Sequence, residues 1–177
     1  MTIVRGLIRR LRPSDAAQYR DLALTAYKDY PHAFTTSYIE RCDLPLSFWE
    51  DRVTASSNAK EVVFGAWDGD QLVGMAGLGT QTREKIRHKA TLFGMFVQES
   101  HRKLGFGGQL VDAVLIEAIS RSHLQSVQLT VTHGNTAKAL YEKHGFVEFG
   151  VEPFAVNVAG TYMAKHHLWV QLKRGPI

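Results

Sequence analysis

The chain has 177 residues, of which 45% are hydrophobic and 21% are charged, and it carries a formal net charge of +4. This length suits one domain with a substantial core, which we predict over residues 1–177. The composition is that of a globular protein, no run of about 20 apolar residues could span a membrane, and the single cysteine excludes an internal disulfide.

The first part of the chain predicts one strand and two helices, at residues 8–11, 16–27 and 47 onward. Ser14 or Asp15 is the expected N-cap of the first helix, since both side chains can accept a hydrogen bond from a free helix amide. Ser47 is the expected N-cap of the second helix. Glu50 follows three residues later, as a capping box requires.

From residue 61 the hydrophobic period changes to two, which predicts strands. A three-stranded meander is followed by a helix, a strand, a helix and two strands, at residues 62–67, 71–78, 91–97, 109–120, 126–132, 137–144, 146–151 and 168–172. This order predicts an α+β (mixed α/β) fold, in which about four helices flank one largely antiparallel twisted sheet of about seven strands.

The most informative segment is the basic, glycine-rich turn between the third meander strand and the next helix. Its sequence is Arg102-Lys103-Leu104-Gly105-Phe106-Gly107-Gly108. A junction of this kind directs free backbone N–H groups and the positive helix end at one spot, which suits a phosphate or a pyrophosphate. The glycines lack Cβ atoms, so an anion can approach the backbone closely. The turn therefore predicts a site for a phosphorylated cofactor.

Three segments together resemble the GCN5-related N-acetyltransferase (GNAT) superfamily. Residues 102–107 fit the family's Arg/Gln-x-x-Gly-x-Gly/Ala loop, and residues 137–146 are close to its Ala-x-x-Leu-Tyr-x-x-x-Gly-Phe segment. The opening residues 8–15 match as well, so the resemblance spans nearly the whole chain. It implies acetyl-CoA as co-substrate, no metal, and transfer of an acetyl group to a primary amine of a small molecule or peptide by direct attack in a ternary complex.

The resemblance also implies where acetyl-CoA binds. The loop amides would hold its pyrophosphate, and a bulged strand end at residues 95–97 would pair with its pantetheine arm and supply an oxyanion donor. The strand at residues 126–132 is expected to splay away and leave a slot for the thioester. The cofactor-binding residues implied in this way are Met95, Phe96, Val97, Arg102, Lys103, Leu104, Gly105, Phe106, Gly107, Gly108, Asn135 and Tyr141.

Two of these residues have alternative interpretations. Tyr141 is the implied general acid for the departing thiolate, because a phenol with a pKa near 10 keeps its proton at neutral pH. It could instead pack its ring in the core with its hydroxyl at the surface. Family members often place an asparagine seven residues before this tyrosine, whereas Asn135 lies six before it. Asn135 therefore either contacts the cofactor or caps the following helix.

The general base is open between a water chain and four side chains, Glu84, His133, His166 and His167. Relatives often carry an Asp-Glu pair just before the last strand, but this chain has Ala164-Lys165 there, so an acidic base is absent at that point. The acceptor amine is expected opposite the cofactor, under the first two helices. That region is rich in aromatic residues, namely Tyr27, Tyr30, Phe34, Tyr38, Phe48 and Trp49.

An alternative function is an acyl-CoA-binding sensor or scaffold module without turnover. The positive charge lies in small clusters rather than in a dense stripe, so we expect no nucleic-acid partner. We also expect a cytoplasmic location and no membrane partner. Relatives are often dimers, and the predicted strand at residues 168–172 is the candidate edge for a homodimer.

Overall fold

Seven strands form one sheet in the computed structural model, which describes residues 6–57 and 59–173. The strands are β1 (Leu7–Arg10), β2 (Glu61–Asp68), β3 (Gln71–Thr80), β4 (Lys89–Val97), β5 (Ser126–Thr132), β6 (Val147–Val158) and β7 (Thr161–Gln171). Their order across the sheet is β1-β2-β3-β4-β5-β7-β6, and every neighbouring pair is antiparallel except β4 with β5. The predicted mixed, largely antiparallel fold is confirmed. The predicted edge at residues 168–172 is wrong, because β7 pairs with β5 on one side and with β6 on the other.

Four helices cover the sheet, α1 (Ala16–Asp29), α2 (Leu46–Arg52), α3 (Phe106–Ser120) and α4 (Ala137–Lys143). One core cluster packs α1 and α2 on one face of the sheet, with Tyr19, Trp49 and Met75 among its buried residues. A second cluster packs α3 and α4 on the other face, around Leu110 and Leu129. Within the described residues, no helix is long and apolar enough to cross a membrane.

The predicted cap of α2 is wrong, and the predicted cap of α1 has the expected position without the expected hydrogen bond. Pro45 occupies the N-cap position of α2, so Ser47 lies inside the helix and the predicted capping box with Glu50 is wrong. Pro45 has the extended conformation typical of an N-cap residue, with φ −65° and ψ 158°, and its ring fixes that φ. Asp15 does occupy the N-cap position of α1, but its carboxylate accepts no hydrogen bond from that helix.

The two C-terminal strands are longer than residues 146–151 and 168–172, and they form a hairpin that the sequence did not predict. Ala159 (φ 49°) and Gly160 (φ 86°) form its turn, and Asn157 Oδ1 accepts the N–H of Gly160 at 2.9 Å. Two central residues with positive φ are typical of a tight hairpin turn. The prediction failed because alanine rarely adopts a positive φ, so Ala159 conceals the turn.

The Asp15 carboxylate, which does not cap α1, joins the end of β1 to the start of α1. Arg9 donates to both its oxygens at 2.7 and 2.9 Å, and the backbone N–H of Arg12 donates at 2.8 Å. The Arg9 hydrogen bonds hold the pKa of Asp15 below its usual value. This stabilisation is therefore present above the ordinary aspartate pKa and is lost as the pH falls through the lowered folded-state pKa.

We accordingly expect Asp15→Asn to lower the free energy of unfolding by about 1–3 kcal/mol at pH 7, since it removes hydrogen bonds to a charged, largely buried group. The difference from wild type should be smaller at pH 2, which lies well below the ordinary aspartate pKa of about 3.9. Urea unfolding at both pH values measures it. Asp70→Asn, in an exposed turn, is the control and should behave as wild type. An equal deficit at both pH values would contradict the ionic origin of the effect.

Candidate functional site

The centre of the sheet opens between β4 and β5. These strands pair only at Lys89↔Ser126, Ala90↔Val127 and Thr91↔Gln128, and no ladder continues beyond that point. A bulge in β4 contributes to the separation: Met75 of β3 pairs with Phe96, but Gly77 pairs with Phe93, so β4 holds one extra residue. The splayed strands and the strand bulge are as predicted.

Gly94 makes this bulge possible. Its φ is 62°, in the left-handed region that glycine enters without a Cβ clash. Gly94 and Met95 lie between the paired residues Phe93 and Phe96, where β3 has a single residue. The bulge therefore begins one residue before the predicted segment of residues 95–97. A glycine within a strand pattern is a known bulge signal, so the sequence held the information to find Gly94. The bulge leaves Gly94 and Met95 without ladder partners on β3.

A cleft occupies the opening between β4 and β5. Its walls come from both strands, from the segment after α1 and from the start of α4, and the lining residues are Ala33, Phe34, Leu92, Phe93, Gly94, Met95, Leu129, Thr130, Val131, Asn135, Ala137 and Tyr141. Met95, Asn135 and Tyr141 were predicted at this site. Phe96 instead packs in the α1–α2 core, against Tyr30 and Phe34 at ring distances of 5.5 and 6.4 Å. The side chain of Val97 packs against the core on the opposite face.

Tyr141 reaches the cleft from α4. It is 5% exposed, and its ring meets Phe146 at 5.9 Å within the α3–α4 core. Its hydroxyl makes no hydrogen bond to the part of the chain that the structure describes. Burial raises the pKa of Tyr141 above its usual value near 10. The phenol therefore keeps its proton at neutral pH, with the hydroxyl still available to a bound molecule.

The glycine-rich turn has the shape of an anion cradle. Lys103 (φ 63°) and Gly105 (φ 92°) are both left-handed, and α3 starts at Phe106 rather than at the predicted residue 109. Its first helical hydrogen bond runs from the N–H of Gln109 to the carbonyl of Gly105 at 3.2 Å. Within the described chain, the backbone N–H groups of residues 103–108 have no acceptor. Successive free amides at a helix start attract an anion.

The early start of α3 has a packing cause. Phe106 is 1% exposed and belongs to the α3–α4 core, so its side chain anchors the first turn of the helix. Gly107 lies against the cleft: a Cβ there would come within 3.1 Å of Leu140 Cδ2 and 3.4 Å of Met95 Cε. The amide cradle and the cleft are therefore adjoining parts of one surface.

Arg102 begins this loop but its side chain points elsewhere. Its own N–H donates to the carbonyl of Glu99 at 3.2 Å, so the free amides start at Lys103. Its Nε donates to the carbonyl of Val97 at 3.1 Å, and its guanidinium lies 4.6 Å from the ring centroid of Tyr30. Arg102 thus fixes the loop against the aromatic residues at the end of α1.

Asn135 lies directly before Thr136, which occupies the N-cap position of α4, so the predicted cap position is wrong by one residue. Its Oδ1 accepts the N–H of Ala137 at 2.9 Å, which satisfies one free amide at the start of α4. The same residue lines the cleft beside Tyr141. This hydrogen bond uses only Oδ1, so the amide nitrogen of Asn135 is still free to donate toward the cleft.

The four predicted bases lie outside the cleft lining. His133 Nδ1 is 3.0 Å from His166 Nε2, and His166 Nδ1 is 2.8 Å from Glu148 Oε2, on the α4 side of the sheet. His167 contacts Glu152 at 2.9 Å. Glu84 lies in the exposed turn before β4. Among the described lining residues there is no histidine and no carboxylate, which favours the water-chain alternative.

The expected acceptor side carries a partly buried aromatic cluster. Phe34 lines the cleft and packs on Tyr27 at 5.3 Å, and burial raises the pKa of Tyr27 to about 12. Trp49 is 1% exposed and is a core residue, and Tyr38 is largely exposed. The described residues hold no group of three or more histidine, cysteine, aspartate or glutamate side chains placed to bind a metal ion.

Comparison with known proteins identifies relatives of this arrangement. The sequence model of the acetyltransferase (GNAT) domain matches residues 29–167. The acetyltransferase of the GNAT family from Streptococcus pneumoniae superposes with a TM-score of 0.79 at 21% identity, covering 96% of this chain and 100% of that one. A search of curated protein sequences finds no match.

Two further solved structures share the fold. The Salmonella typhimurium protein yncA, solved with its cofactor acetyl-CoA, has a TM-score of 0.78 at 18% identity and covers 98% of this chain and 97% of its own. The ribosomal-protein-alanine N-acetyltransferase of Brucella melitensis has a TM-score of 0.76 at 22% identity, with coverages of 94% and 99%. At these identities the likeness concerns the fold alone.

Proposed function

The chain belongs to the GNAT acetyltransferase family, and from that premise we propose that it transfers the acetyl group of acetyl-CoA to a primary amine of a small molecule or peptide. The observation that carries this proposal is the continuity of two features: free amides at residues 103–108, and a cleft between β4 and β5 with Tyr141 in its wall. The first suits a diphosphate and the second a narrow acyl-bearing arm.

The residues present fit acetyl-CoA, which supplies an activated acetyl thioester when bound. We assign the diphosphate to the amides of Lys103, Leu104, Gly105, Phe106, Gly107 and Gly108, because these N–H groups lack acceptors of their own. The backbone of β4 at Met95, Phe96 and Val97 borders the opened side of the strand, where amides released by the bulge can donate to the pantetheine arm. Asn135 completes the wall.

The chemical roles follow from the same geometry. Tyr141 holds a proton at its hydroxyl and is the donor for the departing sulfur, since its raised pKa keeps it protonated. The amide at the Gly94–Met95 bulge is the donor for the negative charge that develops on the carbonyl oxygen. A water chain removes the proton of the amine. No nucleophilic side chain is among the described lining residues, which supports direct attack by the amine.

A panel of amines tests the proposal by release of free CoA from acetyl-CoA. The panel should hold small aliphatic amines, amino acids, polyamines and peptides with free N-termini, each compared with a sample lacking protein. We expect at least one amine to give enzyme-dependent CoA release and an N-acetylated product of the correct mass. Saturable acetyl-CoA binding without turnover on any amine would contradict the proposal and favour a sensor or scaffold module.

A further inference from the structure

One lysine on the acceptor side of the sheet lacks an acidic partner. Lys165 lies on β7 directly opposite Thr132 of β5, so the two side chains share one face. The Nζ of Lys165 donates to Thr35 Oγ1, on the segment that follows Phe34 in the cleft wall. The side chain is half-buried and makes no ion pair with a carboxylate of the described residues.

The carboxylate that could neutralise this lysine is engaged elsewhere. Glu152 occupies the position of β6 paired with Lys165, but its Oε2 lies 2.9 Å from His167 Nε2. Burial lowers the pKa of Lys165 and the negative charge of Glu152 only partly opposes this effect, so the folded protein disfavours the charge of the lysine. A half-buried ammonium that makes no direct hydrogen bond to a carboxylate is costly, and an anionic ligand bound to it would offset that cost.

A buried hydroxyl beside Lys165 also lacks a partner. Thr132 is 3% exposed, and its Oγ1 makes no hydrogen bond in the structure. Leaving such a group unsatisfied destabilises the folded protein, and a ligand that bonds to it would remove that cost. Thr130 lies two residues earlier on the same strand, hence on the same face, and lines the cleft. The unpaired ammonium and the unpaired hydroxyl therefore lie on the sheet face that continues from the cleft.

We propose that Lys165, Thr35 and Thr132 bind a carboxylate of the acceptor, so that the acceptor is an amino-acid-like amine that carries an acidic group. This inference rests on the proposed acetyltransferase function and specifies its substrate class. One ammonium and two hydroxyls provide the hydrogen bonds that a carboxylate accepts. Phe34 and Thr130, which border both the cleft and these residues, would lie along the carbon chain between the carboxylate and the amine.

Matched pairs of acceptors test the inference. Glycine, β-alanine and γ-aminobutyrate are each compared with the corresponding primary amide, which keeps the amine but removes the charge. We expect Lys165→Met to lower kcat/KM for the acids at least about tenfold, as expected for the loss of one charge-assisted hydrogen bond, and to change the amides less than about twofold. Lys165→Arg should retain part of the preference. Lys143→Met, on the exposed end of α4, is the control.

A second variant keeps the inference testable even if Lys165→Met folds poorly. Thr132→Val deletes the unpartnered hydroxyl at nearly constant shape, so it should not lower the melting temperature. It should nevertheless lower kcat/KM for the acids relative to that for the amides. Calorimetric titration of the acids into the CoA-loaded protein gives a readout without turnover, and Lys165→Met should abolish that heat.

The outcomes separate the two proposals. Acetylation of no amine at all would overturn both the acetyltransferase function and the carboxylate site. Acetylation of acids and amides at similar rates, with Lys165→Met affecting both alike, would overturn only the carboxylate site. A preference for acids that survives in Lys165→Met and in Thr132→Val would likewise overturn it, because the anion would then bind elsewhere.

Discussion

Replacing Tyr141 with phenylalanine is expected to lower kcat about 100-fold while changing the dissociation constant of acetyl-CoA less than about twofold. General acid catalysis by a positioned side chain typically contributes 100-fold or more, and the substitution removes only the hydroxyl. The ring would keep its place against Phe146 in the core, so the cleft should keep its shape. Steady-state kinetics with a saturating amine, together with calorimetry of acetyl-CoA binding, measure the two quantities.

The matched control is Tyr19→Phe. Tyr19 is 3% exposed, much as Tyr141 is, but it lies in the α1–α2 core and does not line the cleft. Both variants lose one buried hydroxyl. Tyr19→Phe also removes a hydrogen bond to Arg52, so it should lose at least as much stability as Tyr141→Phe, whereas only Tyr141→Phe should lose turnover. An unchanged kcat in Tyr141→Phe would remove this hydroxyl from the mechanism.

The raised pKa of Tyr141 adds an expectation about pH. A raised pKa keeps the donor form present throughout the range below it, and the donor is lost only as the pH rises through that value. Ionisation of this phenol, whose ordinary pKa is near 10, should therefore not reduce the rate at any pH below about 9.5. A descending limb near neutral pH that vanishes in Tyr141→Phe would contradict burial as the dominant influence on this group.

The sequence predicted the parts of the site that depend on local chain chemistry. The glycine turn and the Tyr141 segment are each one continuous run of residues, and their residue types indicate backbone geometry directly. Gly105, for example, adopts the left-handed conformation at the N-cap of α3. The order of helices and strands followed from hydrophobic periods of two and 3.6 residues. These signals survive without tertiary information, which explains why the predicted order of elements and the largely antiparallel sheet agree with the structure.

Features that depend on distant contacts were not predictable in this way. The contact of Lys165 with Thr35 joins residues 130 positions apart, and the packing of Arg102 on Tyr30 joins the loop to the end of α1. Neither residue type indicates its partner. The longer β6–β7 hairpin was missed for a different reason, since Ala159 takes a backbone conformation that its side chain disfavours.

The packing of Arg102 suggests how the two halves of the site are held together. Its backbone begins the loop whose amides we assign to the diphosphate, while its guanidinium lies over Tyr30, which packs on Phe96. Phe96 in turn meets Phe34 in the cleft wall. A continuous set of contacts therefore runs from the cofactor loop to the acceptor side, although the sequence motif alone indicates only the loop.

Replacing Gly105 with valine is expected to raise the dissociation constant of acetyl-CoA at least about tenfold. Gly105 has a φ of 92°, which a β-branched residue adopts only at a cost of about 1–2 kcal/mol or more, so the loop should shift toward ordinary backbone angles. That shift would turn the amides of residues 103–108 out of their common orientation. Losing one or two hydrogen bonds to a charged group accounts for a tenfold to hundredfold weaker affinity.

The same strain can be imposed away from the site by Gly69→Val. Gly69 has a φ of 57° in the hairpin turn between β2 and β3, and no other atom would crowd an added Cβ there. Urea unfolding should show that both variants lose stability, whereas calorimetry should show that only Gly105→Val loses acetyl-CoA affinity. Equal affinities in the two variants would mean that the amide cradle does not hold the diphosphate, because the strain would then have disturbed the loop without disturbing the ligand.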